Sequence, residues 1–103
     1  MPYDIVWDEQ AKAELAGLRV FERNVVTGAV ERQLRHQPSV ETRNRKPLRE
    51  PVGELPETTW ELRVRGDYRV FYWVVDSRTV VILRVILKGT STLSDVVGRG
   101  DKP

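Results

Sequence analysis

The chain contains no cysteine. It therefore has no disulfide framework and no thiolate metal site, which fits a reducing cytoplasm. Histidine is almost as scarce. His36 stands alone, so a histidine zinc site is not expected, and any histidine-dependent triad has to use His36. No apolar run approaches the ~20 residues of a membrane span, and the first residues lack a signal-peptide pattern. A cytoplasmic protein without a membrane partner is the expectation. There is no P-loop, no dinucleotide-binding glycine fingerprint and no metal-carboxylate cluster. Neither a metal nor another cofactor is expected. At 103 residues the chain suits one compact domain and is too short for two. That domain is expected over residues 1–97, with 98–103 as a frayed tail.

What the chain does have is locally concentrated positive charge. The net charge is only +2. Yet Arg32, Arg35, Arg43, Arg45, Lys46 and Arg49 fall in one stretch where Glu41 is the single acid. Such clustering matters more to an anionic partner than the total does.

Periodicity divides the chain into a helical first third and a strand-rich last part. Residues 3–7 read as a short strand at a sheet edge. Asp8 is an N-cap, with Glu9 in the first turn of a helix. Ala11, Leu15 and Leu18 fall at helical spacing, which leaves Glu9, Lys12 and Glu14 elsewhere on the surface. Gly17 weakens or ends this helix. A second helix is expected over residues 20–35, with Val26, Val30 and Leu34 at i, i+4 and i+8 and Pro38 stopping it. Gly28 in its middle costs about 1 kcal/mol relative to alanine.

Residues 37–59 hold Pro38, Pro47, Pro51 and Pro56 and little periodicity. They read as a long functional loop. Three strands rich in β-branched and aromatic residues follow at 60–65, 68–76 and 79–88. The stretch after Gly89 is rich in threonine and serine, and is expected to cap a short helix through Val97.

Register follows from face matching, because a one-residue slip turns every side chain to the other face. A three-residue loop at Arg65-Gly66-Asp67 sets Val64 opposite Tyr68, Leu62 opposite Val70 and Trp60 opposite Tyr72 on an apolar face. Arg63 then opposes Arg69, and Glu61 opposes Phe71, on the other. A two-residue connection at Asp76-Ser77-Arg78-Thr79 extends the apolar face through Val70–Val85, Tyr72–Leu83 and Val74–Val81 pairs. The second face then gathers Glu61, Arg63, Arg69, Arg84 and Lys88 around Phe71 and Trp73.

Directly opposed like charges, as at Arg63 and Arg69, are destabilising. Glu61 offsets part of this, and a bound phosphate would offset more. For either arginine alone a solvated sheet face is an equal explanation; the cluster points to an anion site. Phe71 and Trp73 fit a core under the C-terminal segment better than base-stacking platforms. Glu61 suits an ion-pair partner ahead of a catalytic base. Arg43, Arg45, Lys46 and Arg49 suit phosphate contacts, with solubility as the equal alternative. His36 fits a helix C-terminal cap, and Arg65-Gly66-Asp67 is a turn.

Two stretches carry a resemblance. They are Glu41-Thr42-Arg43-Asn44-Arg45-Lys46-Pro47-Leu48, and Trp60-Glu61-Leu62-Arg63-Val64 with Gly66-Asp67-Tyr68-Arg69-Val70-Phe71-Tyr72. With the order strand, two helices, basic loop and three-stranded meander, the chain resembles the RelE/ParE superfamily of bacterial toxins, RelE-like branch, over about residues 3–89.

The resemblance implies an α+β fold: an N-terminal strand and two helices on a mainly antiparallel four-stranded sheet, with a short C-terminal helix or tail. It implies a cognate antitoxin as partner. It also implies a metal-independent, ribosome-dependent cut of mRNA in which the RNA's own 2′-hydroxyl is the nucleophile. Arg69 and Arg63 match the family's basic strand positions and would stabilise the phosphate, with Arg84 and Lys88 assisting. Glu61 stands where RelE has another basic residue, and is available as a base. Arg43, Arg45, Lys46 and Arg49 would grip the RNA. The segment from Lys88 to Asp95 departs from the RelE pattern: the family's late arginine–aromatic or histidine–tyrosine pair is absent. ParE-like members share the fold but poison DNA gyrase, so gyrase is the alternative target. A non-catalytic nucleic-acid-binding module is a third reading.

Overall fold

The computed structural model describes residues 2–50 and 52–87. Its elements are β1 (Asp4–Trp7), α1 (Glu9–Ala16), α2 (Val20–Leu34), β2 (Arg45–Pro47), β3 (Trp60–Val64), β4 (Tyr68–Val74) and β5 (Thr79–Leu87). The strands form one sheet in the order β1-β5-β4-β3-β2, with β1 parallel to β5 and every other pair antiparallel. The expected α+β architecture is present, with one correction: the sheet has five strands, not four. The extra strand is β2, inside the long loop. Its three residues show no period-2 pattern of their own and are fixed by pairing Arg45 with Leu62 and Pro47 with Trp60.

The helices start and stop where the sequence provides caps. Asp8 accepts a hydrogen bond from the Gln10 amide at 3.3 Å, and Gly17 closes α1. Glu22 accepts from the Arg19 amide at 3.1 Å, satisfying a donor at the start of α2. α2 ends at Leu34, ahead of Pro38. Both helices cover one sheet face. Val26, Val30 and Leu34 of α2 and Ala11 of α1 pack there against Leu62, Val70, Tyr72 and Ile82. Tyr72 is buried and donates its hydroxyl to the Pro38 carbonyl at 2.6 Å. Burial pushes its phenol well above the ordinary tyrosine range.

The β3–β4 register is the expected one at every pair, from Trp60–Tyr72 to Val64–Tyr68. The β4–β5 register agrees only in its first half, with Val70 opposite Val85 and Phe71 opposite Arg84. Beyond a bulge at Phe71/Tyr72, Tyr72 meets Ile82 and Val74 meets Val80, where Leu83 and Val81 were expected. The turn explains the slip. The Val75 amide bonds to the Thr79 carbonyl at 2.9 Å, which makes a three-residue loop, and the Arg78 amide bonds to the Asp76 carboxylate at 2.8 Å. A bulge then restores the register, so that Val80, Ile82 and Val85 all join the helix-side core.

The other sheet face is partly covered too. Phe71 and Ile86 are buried there against Leu48, Val52 and Leu55 from the long loop. Phe71 is therefore core, under that loop; Trp73 remains 37% exposed. The C-terminal helix expected through Val97 lies outside the described residues.

Candidate functional site

The polar part of this second face is built by cross-strand pairing. Arg63 opposes Arg69, and Glu61, two residues from Arg63 and hence on the same face, opposes Phe71. Lys46 stands opposite Glu61 on the other side. A single carboxylate oxygen serves both guanidinium groups: Glu61 Oε2 lies 2.9 Å from Arg69 Nε and 3.2 Å from Arg63 Nε. Arg69 also donates to the Tyr68 carbonyl at 3.3 Å. The side chains of Arg69 and Glu61 are 8% and 12% exposed, that of Arg63 46%. The like-charge conflict expected between the two arginines is thus relieved from within the fold, by Glu61. The result is a preformed cation pair with a carboxylate between its members.

Arg84 is not in that group. It stands opposite Phe71 as expected, but its side chain is engaged by α1, where Glu14 Oε2 accepts from its Nε at 2.7 Å. Glu14 Oε1 accepts from the Val85 amide, also at 2.7 Å. Glu14, expected on the surface, is a half-buried clamp on the bulge. β1 reaches only as far as Ile82 along β5, and Glu14 supplies an acceptor to the strand edge beyond that point. Helical periodicity carries no signal for this role.

The loop basics divide as well. Arg45 is buried, and its guanidinium is spent on the Val40 carbonyl at 2.9 Å and on the Gln33 carbonyl and side-chain oxygen at 2.8 and 3.0 Å. It ties the loop to the last turn of α2. Arg43 and Lys46 are exposed, and Arg49 is exposed opposite Glu41 at 3.4 Å. Lys88 lies outside the described residues. Among the described residues no group of three or more metal-ligating side chains comes together, and no helix is long and apolar enough to cross a membrane.

Away from this face, the Tyr68 hydroxyl donates to Glu22 Oε2 at 2.6 Å. That bond holds the Glu22 carboxyl below its usual range and, from the other side, lifts the Tyr68 phenol above its own.

Comparison with known proteins agrees with this architecture. None of the curated proteins matches the chain. Among solved structures, a chain of the RelBE2 toxin–antitoxin complex from Mycobacterium tuberculosis is 33% identical, with a TM-score of 0.66; the match covers 85% of this chain and 100% of that one. The family model for the ParE toxin of type II toxin–antitoxin systems, parDE, matches residues 5–89. The chain thus belongs to the ParE toxin family within the RelE/ParE superfamily, and is the toxin of a type II toxin–antitoxin pair.

Proposed function

We propose that this toxin inhibits translation as a ribosome-dependent mRNA endonuclease, acting in the cytoplasm through the face that carries Glu61, Arg63 and Arg69. The observation that carries the reading is the shared Glu61 oxygen between the two guanidinium groups. Transesterification needs a base for the 2′-hydroxyl and cations for the phosphate, and these must sit side by side. In this reading Glu61 takes the 2′-hydroxyl proton as the 2′-oxygen attacks the adjacent phosphorus. Arg63 and Arg69 hold the non-bridging oxygens, and Lys88 protonates the leaving 5′-oxygen, giving a cyclic phosphate and a free 5′-hydroxyl. Lys46 and Arg43 supply backbone contacts, with Arg49 beside them. Arg45 and Arg84, engaged by carbonyls and by Glu14, serve by fixing the loop and the bulge.

Arg63 is the residue to test, because about half its side chain is in solvent and its loss is expected to cost the fold less than that of Arg69. In a translation extract the wild-type protein is expected to cut ribosome-bound mRNA, and Arg63→Ala to lower the rate by ~100-fold. Intact mRNA with wild-type protein would sink the endonuclease reading. The second reading is a gyrase poison that works by protein contact. It is favoured by how completely Arg69, Arg45 and Arg84 are already paired within the chain, and it predicts loss of DNA supercoiling with no RNA cut.

A further inference from the structure

Asn44 has a side chain that the fold does not use. Its backbone is engaged: the carbonyl accepts from the Arg63 amide at 2.8 Å, and the amide donates to the Thr42 hydroxyl at 3.3 Å. The side-chain amide makes no hydrogen bond among the described residues. Asn44 lines a cleft of about 290 Å³, formed where β3 runs on past β2 and beneath α2. Gln33 of α2 lines the same cleft. Arg45 donates to the Gln33 side-chain oxygen at 3.0 Å. A guanidinium can only donate, so that oxygen is fixed toward Arg45 and the Gln33 amide nitrogen is left to donate elsewhere.

The rest of the cleft suits a flat, partly apolar group. Val25 and Val64 give it an apolar wall. Small-molecule sites combine such a wall with a few polar groups that fix orientation, and begin at ~300 Å³. A cleft of this size takes one planar group, and a polypeptide helix ~10 Å across is too wide for it. Arg63 is common to the cleft and to the Glu61 group, and its guanidinium is already engaged by Glu61 at 3.2 Å. Arg32 and Arg65 also line the cleft, and form no ion pair among the described residues.

We propose that this cleft seats the base of an RNA nucleotide flanking the scissile phosphate, and that Asn44 and Gln33 read its edge and so set the sequence preference of the cut. The inference rests on the endonuclease reading and deepens it. Phosphate contacts position a nucleic acid, whereas contacts to base edges carry its sequence. A carboxamide holds a donor and an acceptor side by side, the complement of adenine N7 and N6. Asn44 supplies that pair, and Gln33 adds a donor. Val25 and Val64 give the base an apolar surface to lie on. Arg32 and Arg65 meet the phosphates on either side of it. The Asn44 carbonyl bond to the Arg63 amide fixes the spacing between the base reader and the phosphate-holding arginine.

The test maps cut sites on mRNA in a translation extract by sequencing the new 5′ ends. The wild-type protein is expected to favour one base beside the cut, adenine on the pairing above, by roughly 10-fold. Asn44→Leu should still cut, with that preference lost. Asn44→Asp has acceptors only, and should move the preference toward cytosine, whose N4 donates. Arg63→Ala, by contrast, should slow cutting at every sequence alike. Asn44 holds Arg63 through its backbone carbonyl, which both variants keep, so both should melt near the wild-type temperature. Should Asn44→Leu fold poorly, Asn44→Asp carries the test alone. An unchanged preference in the variants overturns the proposal and leaves the endonuclease reading standing. So does an equal slowing at all sequences, which would make Asn44 merely structural. An unchanged preference with lost antitoxin affinity overturns it too, and gives the cleft to the protein partner. Wild-type protein that cuts no mRNA overturns both readings together.

Discussion

Arg69 and Glu61 meet diagonally across β3 and β4 at 2.9 Å, with both side chains almost out of solvent. Removing the acid alone leaves a largely buried guanidinium without its carboxylate. Glu61→Ala is therefore expected to cost about 2–4 kcal/mol, whereas the apolar double replacement Glu61→Leu with Arg69→Met should fall much closer to wild type. Urea unfolding of Glu61→Leu, Arg69→Met and the double closes the cycle and measures this directly. Additive losses would show that the pair is not coupled. The result also decides how toxicity data are read, because Arg69→Ala removes a nearly buried ion-pair partner while Arg63→Ala removes a half-exposed one and is expected to cost less stability.

How far the sequence foretold this site can be judged residue by residue. The β3–β4 register was legible because only one pairing keeps Val64, Leu62 and Trp60 on one face. That alone placed Arg63 beside Arg69 with Glu61 adjacent. The β4–β5 register was half legible. Leu83 is apolar and fits either face, so nothing in the pattern announced the bulge, and nothing in it announced that Glu14 of α1 would engage Arg84. Arg45 looked like its neighbours Arg43 and Lys46 because two of its three acceptors are backbone carbonyls, of Gln33 and Val40, which leave no trace in a side-chain pattern. β2 was missed for the same reason: three residues held by their neighbour have no periodicity of their own. The cleft of about 290 Å³ between α2 and β3 brings together Arg32 and Arg65, far apart in the chain, which no single motif links.

Glu14 is expected to show its role in the exchange of one amide. Glu14→Ala removes the acceptor of the Val85 N–H and the partner of Arg84 together, at a cost of about 2–3 kcal/mol. Hydrogen exchange followed by NMR should find the Val85 amide deprotected relative to amides of β3. Unchanged protection at Val85 would mean that the bulge holds without the clamp.

The Glu22–Tyr68 hydrogen bond predicts opposite slopes at the two ends of the pH range. Tyr68 holds the Glu22 carboxyl below its usual range, so the folded state keeps this carboxylate ionised at pH values where the unfolded chain has taken up a proton. That stability is complete above the ordinary glutamate range and is lost as pH falls through the lowered value. Tyr68 moves the other way, because its phenol is raised by Glu22. Its contribution is complete below the ordinary tyrosine pKa of ~10 and is lost as pH rises beyond it. Tyr68→Phe should therefore flatten both limbs of a plot of unfolding free energy against pH. A variant curve parallel to wild type at both ends would contradict this.

Arg65 and Gly66 carry the conformational cost of the β3–β4 turn. Both have positive φ, 56° and 77°. A Cβ added at Gly66 would meet nothing within 4 Å, so Gly66→Ala should destabilise by about 1 kcal/mol through backbone conformation alone. Arg65→Asn should do the reverse. Asparagine adopts the left-handed region more readily than arginine, so unfolding should become harder by roughly 0.5 kcal/mol. Urea denaturation of the two variants tests the point: shifts in the same direction, or none, would show that backbone conformation does not set the stability of this turn.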